Sequence, residues 1–329
     1  MAPDWVIHPQ LGYGTILPGE AEMEDELVGN RDTRSPVRNT TKLPYRWICQ
    51  IVCRVAGQPK PAVGSGLLIG PRHVLTAAHV VWWKENNGTV VRPGSIEVTP
   101  GRNVKKRPFG TWKVADKKFP KEYTPGPGSC HDYALLVLED TIGGRKFPDT
   151  GPHTLSYWGS REAYNDTRIE YLEPAKLRKQ AVHVSGYPFD KCGYLPRIAS
   201  VPGARCYANQ NAPAPPGFKD CLLDKDELAG SAQFSDKGRI LDLRSGGPAQ
   251  YLIHDADTCK AQSGSPMWIQ SKGKQYLVGI HTGEFHQKTG TCTDPSPGVL
   301  SDVNRGIRLD KNVLENIWKW IKEDYADSA

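Results

Sequence analysis

The sequence predicts an all-β protein of two β-rich halves, closed by one C-terminal helix. Three observations carry that expectation. At 329 residues, 38% hydrophobic and 24% charged, the chain is long enough for two packed subdomains and apolar enough for a sizeable core. Its apolar residues come in short runs, such as Val74-Leu-Thr76 and Ala134-Leu-Leu-Val-Leu138, of strand rather than helix length. Between them, 33 Gly and 27 Pro supply the punctuation of many turns.

Residues 1–26 read as an extension outside the main fold, Pro- and Gly-punctuated and ending in Glu20-Ala-Glu-Met-Glu-Asp-Glu26. This segment holds six acids and no Lys or Arg, so the chain's net charge of +6 becomes +12 without it. Such a charge attracts anions. The basic residues are nevertheless scattered and carry no recognition motif, so no nucleic-acid partner is expected.

The first half, residues 27–150, opens its strands at Trp47–Val55. Ser65–Ile69 and His73–Thr76 read as a hairpin turning at Gly70-Pro-Arg72, with further strands at Ser95–Thr99, Gly110–Ala115 and Tyr133–Leu138. The second half, residues 151–308, has strands at Gln180–Ser185, Gln250–His254, Pro266–Gln270 and Gln275–His281. It is interrupted at about 190–245 by a Cys-, Pro- and Gly-rich stretch too long for a turn, read as a disulfide-tied insertion. At 309–325, Val313, Leu314, Ile317, Trp320 and Ile321 share one helical face and Asp310 is placed as the cap.

Eight cysteines stand at 49, 53, 130, 192, 206, 221, 259 and 292. No second tight Cys or His pair completes a zinc-ligand set beside Cys49 and Cys53, so disulfides of open connectivity and an oxidising compartment are expected. Acceptor sequons at Asn39, Asn87 and Asn165 agree with secretion. The N-terminus lacks a basic and an apolar region, so a signal peptide is taken to be already removed. No apolar stretch reaches the roughly 18 residues of a membrane helix. A secreted monomer without cofactor, metal or membrane partner is expected.

Three segments carry chemistry: Leu75-Thr-Ala-Ala-His79, Cys130-His-Asp132-Tyr-Ala-Leu-Leu, and Gln262-Ser263-Gly-Ser-Pro266. A serine hydroxyl is a poor nucleophile until an imidazole accepts its proton, and a buried carboxylate fixes that imidazole's tautomer. A tight Gly-rich turn also directs the backbone N–H groups of Ala261 and Ser263 at a developing oxyanion, worth about 3–4 kcal/mol per donor where measured. Each segment alone is a weak signal. In the order His, Asp, Ser they point to His79, Asp132 and Ser263 as a catalytic triad.

These segments resemble the signatures of chymotrypsin-fold serine proteases, and most closely the glutamyl endopeptidase branch. Arg34…Arg38-Asn-Thr-Thr…Pro44-Tyr-Arg46, Leu68-Ile-Gly-Pro71, Val184-Ser-Gly-Tyr-Pro188, Asp257-Thr258 and Asn304-Arg-Gly306 have counterparts there too. The resemblance covers about residues 27–322 apart from 190–245. It implies two antiparallel β-barrels with the site between them, and a serine endopeptidase acting on protein or peptide substrates.

The resemblance further implies recognition of an acidic side chain before the cut bond by Thr258 and His281, with Lys260 adding positive potential at the pocket rim. A carboxylate accepts hydrogen bonds from an imidazole and a hydroxyl, which suits cleavage after Glu, with Asp second. Asp257, six residues before the serine, offers a competing trypsin-like reading with cleavage after Lys or Arg. A homologue that only binds partners is the third reading. Gln262 replaces the acid that pairs with a new N-terminus in trypsin-type zymogens, and Glu26-Leu27 offers a junction for self-cleavage. Ala261 stands where the family has glycine. A Cys259–Cys292 bridge bracing the pocket is implied as well.

Overall fold

The computed structural model describes residues 28, 32–85, 87–126, 131–150, 154–189, 230–246, 249–284 and 303–327. Short, turn-punctuated apolar runs become two closed antiparallel rings. The first contains β1 (Ile48–Arg54), β2 (Ala62–Leu68), β3 (His73–Thr76), β4 (Ser95–Pro100), β5 (Trp112–Lys118) and β6 (Ala134–Leu138). Its ring order is β1-β2-β3-β6-β5-β4, and β4 returns to β1. The hairpin turning at residues 70–72 sets the register Leu67↔Leu75 and Leu68↔Val74.

The second ring contains β7 (Ala181–Gly186), β8 (Phe234–Gly246), β9 (Ala249–His254), β10 (Pro266–Ser271), β11 (Lys274–Glu284) and β12 (Asn304–Arg308). Its order is β8-β7-β10-β11-β12-β9, and the β8–β9 pairing closes it. One expectation changes here. The insertion placed at 190–245 ends earlier, because residues from 234 onward form β8, a structural strand of the ring.

One buried cluster joins the two rings. Trp47 meets Trp158 edge-on at 6.1 Å, and Trp158 meets Trp268 at 5.8 Å. Helix α1 (Lys311–Ala326) begins where Asp310 Oδ1 accepts the Val313 N–H at 2.9 Å. It buries Val313, Leu314, Ile317, Trp320 and Ile321, the face read from the sequence. The helix leaves the second ring and packs on the first. Asn316 Nδ2 donates to Tyr133 Oη at 2.8 Å, and Arg72 grips Asp324 bidentately at 2.8 Å.

The cysteine expectation also changes. Cys49 and Cys53 are buried free thiols facing the first core, not halves of disulfides. Burial pushes the Cys53 thiol up to about 12 and Cys49 far up as well, so neither is a ready nucleophile. Cys130, Cys192, Cys206, Cys221 and Cys292 lie outside the described residues, and with them the Cys259–Cys292 bridge. The side chains of Asn39, Asn87 and Asn165 are exposed.

Candidate active site

Strand pairing brings the first two residues together. Thr76 ends β3 opposite Ala134, which starts β6, so a residue just after one strand meets a residue just before the other. A single 3-10 turn, Ala78–Val80, then rotates His79 inward. Asp132 Oδ2 lies 2.5 Å from His79 Nδ1, and Oδ1 accepts the backbone N–H of His79 at 2.9 Å. Gripped twice, the carboxylate cannot swivel. In the neutral ring the proton then sits on Nδ1, which leaves Nε2 as the basic nitrogen. His79 is 2% and Asp132 5% exposed, so little water screens the pair.

The third element comes from the other ring. Gln262 N–H donates to Cys259 C=O at 3.0 Å, and Ser265 N–H to Gln262 C=O at 2.9 Å, coiling the chain around Ser263. Gly264 has φ +85°, and a Cβ there would lie 2.0 Å from Ser65 O and 2.2 Å from Thr76 Oγ1. Only glycine permits that approach. It presses the serine turn onto the end of β3, the strand that leads into His79. The Ser65 N–H also donates to Ser263 C=O at 2.9 Å, across the two rings. Ser263 is fully buried.

His281 brackets the same turn from β11. Its C=O accepts the Gly264 N–H at 2.8 Å, and its N–H donates to Ser265 C=O at 2.9 Å. The side chain is fully buried, with Nδ1 3.4 Å from His254 Nε2 on β9. Burial, then the neighbouring His281, hold His254 well below the ordinary histidine range, so it is neutral. His254 was missed in the sequence. It ended an expected strand, and nothing local marks which histidine such a strand end will face.

Thr258 is also fully buried. Lys260, expected at the pocket rim, is 1% exposed, nearly as deeply buried as Thr258 and His281. Asp257 departs more instructively. Its carboxylate accepts the Val28 N–H at 2.8 Å, the Thr33 N–H at 2.7 Å and the Thr33 hydroxyl at 2.6 Å. Asp236 in turn accepts the Asp257 N–H at 2.7 Å. An acid that waits for a substrate Lys or Arg should present open oxygens, whereas this one anchors the N-terminal strap. The strap continues to Arg34, whose Nη1 reaches Gln262 Oε1 at 3.4 Å, and then pairs Ser35–Pro36 with β8. Glu26 and Leu27 lie outside the described residues.

Comparison with known proteins agrees with this architecture. The chain is 27% identical over 307 residues to a glutamyl endopeptidase of Bacillus licheniformis, covering 92% of this chain and 72% of that protein. It is 24% identical over 332 residues to a Bacillus subtilis protein called an extracellular metalloprotease, covering 97% and 81%. Among solved structures, a Glu endopeptidase in complex with MPD superposes with TM-score 0.56 at 20% identity, covering 92% of this chain and all of that one. No family model matches.

Proposed function

We propose that this chain, a chymotrypsin-fold serine endopeptidase related to the glutamyl endopeptidases, is secreted and cuts after Glu, with Asp second, through Ser263, His79 and Asp132. Ser263 Oγ adds to the scissile carbonyl carbon while His79 Nε2 takes the hydroxyl proton. Asp132 stabilises the imidazolium so formed. The oxyanion lies against the N–H groups of Ala261 and Ser263. Collapse passes the proton from His79 to the leaving amine, and a water molecule repeats the sequence to release the acyl group.

The observation that carries this reading is the double grip of Asp132 on His79 at 2.5 and 2.9 Å, in a buried site against which the Ser263 turn is packed. The acidic preference is supported by His281, whose backbone C=O and N–H both bond the chain just after Ser263, and by Thr258 at the position of the family's hydroxyl residue. Both side chains are buried, where a bond to a carboxylate gains strength. The trypsin-like alternative is disfavoured because the oxygens of Asp257 are engaged by Val28 and Thr33.

Residues 1–26 serve as a propeptide removed by self-cleavage after Glu26. N-terminal sequencing of active enzyme then finds Leu27, and fully active protein still starting at Met1 or Ala2 discards that step. Mass-spectrometric mapping of cuts in an unstructured protein tests the specificity. Cuts after Glu support it, and cuts only after Lys or Arg refute it. Undiminished hydrolysis by Ser263→Ala would assign the cleavage to another mechanism, and absence of hydrolysis by the wild-type chain would return it to the class of binding homologues.

A further inference from the structure

The turn that precedes the nucleophile stands in a conformation its own sequence disfavours. Gln262 N–H bonds Cys259 C=O at 3.0 Å, and Ala261, third of the four turn residues, has φ +72°. That is a type II turn, in which glycine normally takes the third position. Rotating the central peptide, between Lys260 and Ala261, converts it to a type I turn with a negative φ that alanine prefers. The same rotation turns the Ala261 N–H away and puts a carbonyl oxygen in its place. The oxyanion donor therefore has two arrangements, and alanine favours the wrong one.

One hydrogen bond opposes that rotation directly, and others fix the frame from which it acts. Phe189 N–H donates to Lys260 C=O at 2.8 Å, and because the peptide is trans, the Ala261 N–H points the opposite way. On the other side, the Ser65 hydroxyl reaches across from β2. It donates to Ala261 C=O at 2.9 Å and accepts the Tyr187 N–H at 2.9 Å. Its backbone N–H holds Ser263 C=O at 2.9 Å, and its carbonyl accepts the Thr76 hydroxyl at 2.6 Å. Ser65 is fully buried. One side chain thus ties the 187–189 segment and the 259–262 turn to each other and to the first ring.

We propose that Ser65 is a positioning residue of the oxyanion hole, its hydroxyl holding the Ala261 carbonyl and the 187–189 segment so that the Ala261 N–H faces the reacting carbonyl. This rests on the reading of Ser263 as nucleophile and Ala261 N–H as donor. Ser65 touches no substrate. It acts by biasing a turn with two states, so its loss reads out in the transition state rather than in substrate binding.

The test is Ser65→Ala, assayed with a peptide cleaved after Glu and with a peptide aldehyde ending in Glu, which forms a tetrahedral adduct on the nucleophile. Complete loss of one such donor costs about 100–1,000-fold in kcat, so a partial loss of alignment is expected to lower kcat about 10–100-fold, with KM within about threefold. Aldehyde affinity should fall in parallel with kcat. Adding Ala261→Gly to Ser65→Ala should restore part of the lost kcat, because glycine has no preference against positive φ. A purely structural role for Ser65 gives no such rescue. If Ser65→Ala does not fold, Ser65→Cys keeps the volume with a weak donor and should show the same split. Wild-type kcat and aldehyde affinity in a folded Ser65 variant overturn the proposal. Ser263→Ala separates the two levels. If it is inert while the Ser65 variant is fully active, only the positioning role fails. If it remains active, the underlying mechanism fails.

Discussion

Replacing Asp257 separates an anchor from a specificity residue. The carboxylate is 2% exposed and accepts three hydrogen bonds, from Val28 N, Thr33 N and Thr33 Oγ1, at 2.6–2.8 Å. Bonds to a charged acceptor contribute about 1.5–3 kcal/mol each, though not additively. The Thr33 hydroxyl keeps a second acceptor in Asp236 at 3.1 Å, so its share of the loss is small. Asp257→Ala should therefore cost about 3–5 kcal/mol, a large part of the roughly 5–15 kcal/mol that holds a domain folded. Asp257→Asn keeps one acceptor oxygen and should cost about half as much. Guanidinium unfolding measures the loss, and hydrogen exchange at the Val28 and Thr33 amides locates it in the strap. Cleavage ratios among Glu, Lys and Arg substrates should not change. Unaltered stability together with loss of cleavage after Lys or Arg would contradict the anchoring role of Asp257 and restore the trypsin-like alternative.

Three further outcomes follow from the geometry. The role proposed for His281 in binding the acidic side chain predicts that His281→Gln lowers kcat/KM for a Glu substrate about 10–100-fold relative to its Gln analogue, the size of one charge-assisted bond; an equal loss for both substrates contradicts that role. Burial keeps His254 neutral in the folded chain, whereas unfolded histidine takes up a proton below about pH 6.5. Its folded value is depressed, so its contribution is present above that pH and is lost as the pH falls. His254→Gln should flatten the acid limb of the stability curve below pH 6.5 by up to about 1.4 kcal/mol per pH unit, and parallel unfolding curves refute it. Asp324→Asn weakens the bidentate Arg72 contact and the 2.9 Å contact with His73 Nε2, and should cost about 2 kcal/mol with faster exchange in α1. A change below about 0.5 kcal/mol would mean that helix docking is carried by its apolar face alone.

Where chemistry is local, the sequence was readable. The turn at residues 70–72, the Asp310 cap and the apolar face of the final helix all appear as expected, because each is set by residues within one or two turns of one another. β8 was hidden. Asp236, Lys237, Arg239, Asp242 and Arg244 crowd its polar positions, and its pairings with β7, far back in the chain, and with the adjoining β9 make it a strand. Cys49 and Cys53, with Ile51 between them, are spaced so that all three face one side of a strand, a parity that fits core thiols as well as disulfide halves.

The candidate site shows the same division. Each expected triad residue stands on a local signature, and strand register explains why His79 and Asp132 meet. The spacing of Asp257 from the serine announced an acid but not its partner, which lies 224 residues away in Thr33. Lys260 gave no sign of burial, since lysine is ordinarily exposed and its surroundings are tertiary. Ser65 looked like an ordinary small residue on a strand. Its role emerges only once the two rings bring β2 against the turn at 259–262.

Labelling with a fluorophosphonate, followed by peptide mapping of the modified residue, asks whether Ser263 is the nucleophile. A single phosphonylated site is expected at Ser263, formed in the active protein and slowed by several orders of magnitude in His79→Ala. Modification at another residue, or unchanged labelling of Ser263 without the imidazole, would contradict it.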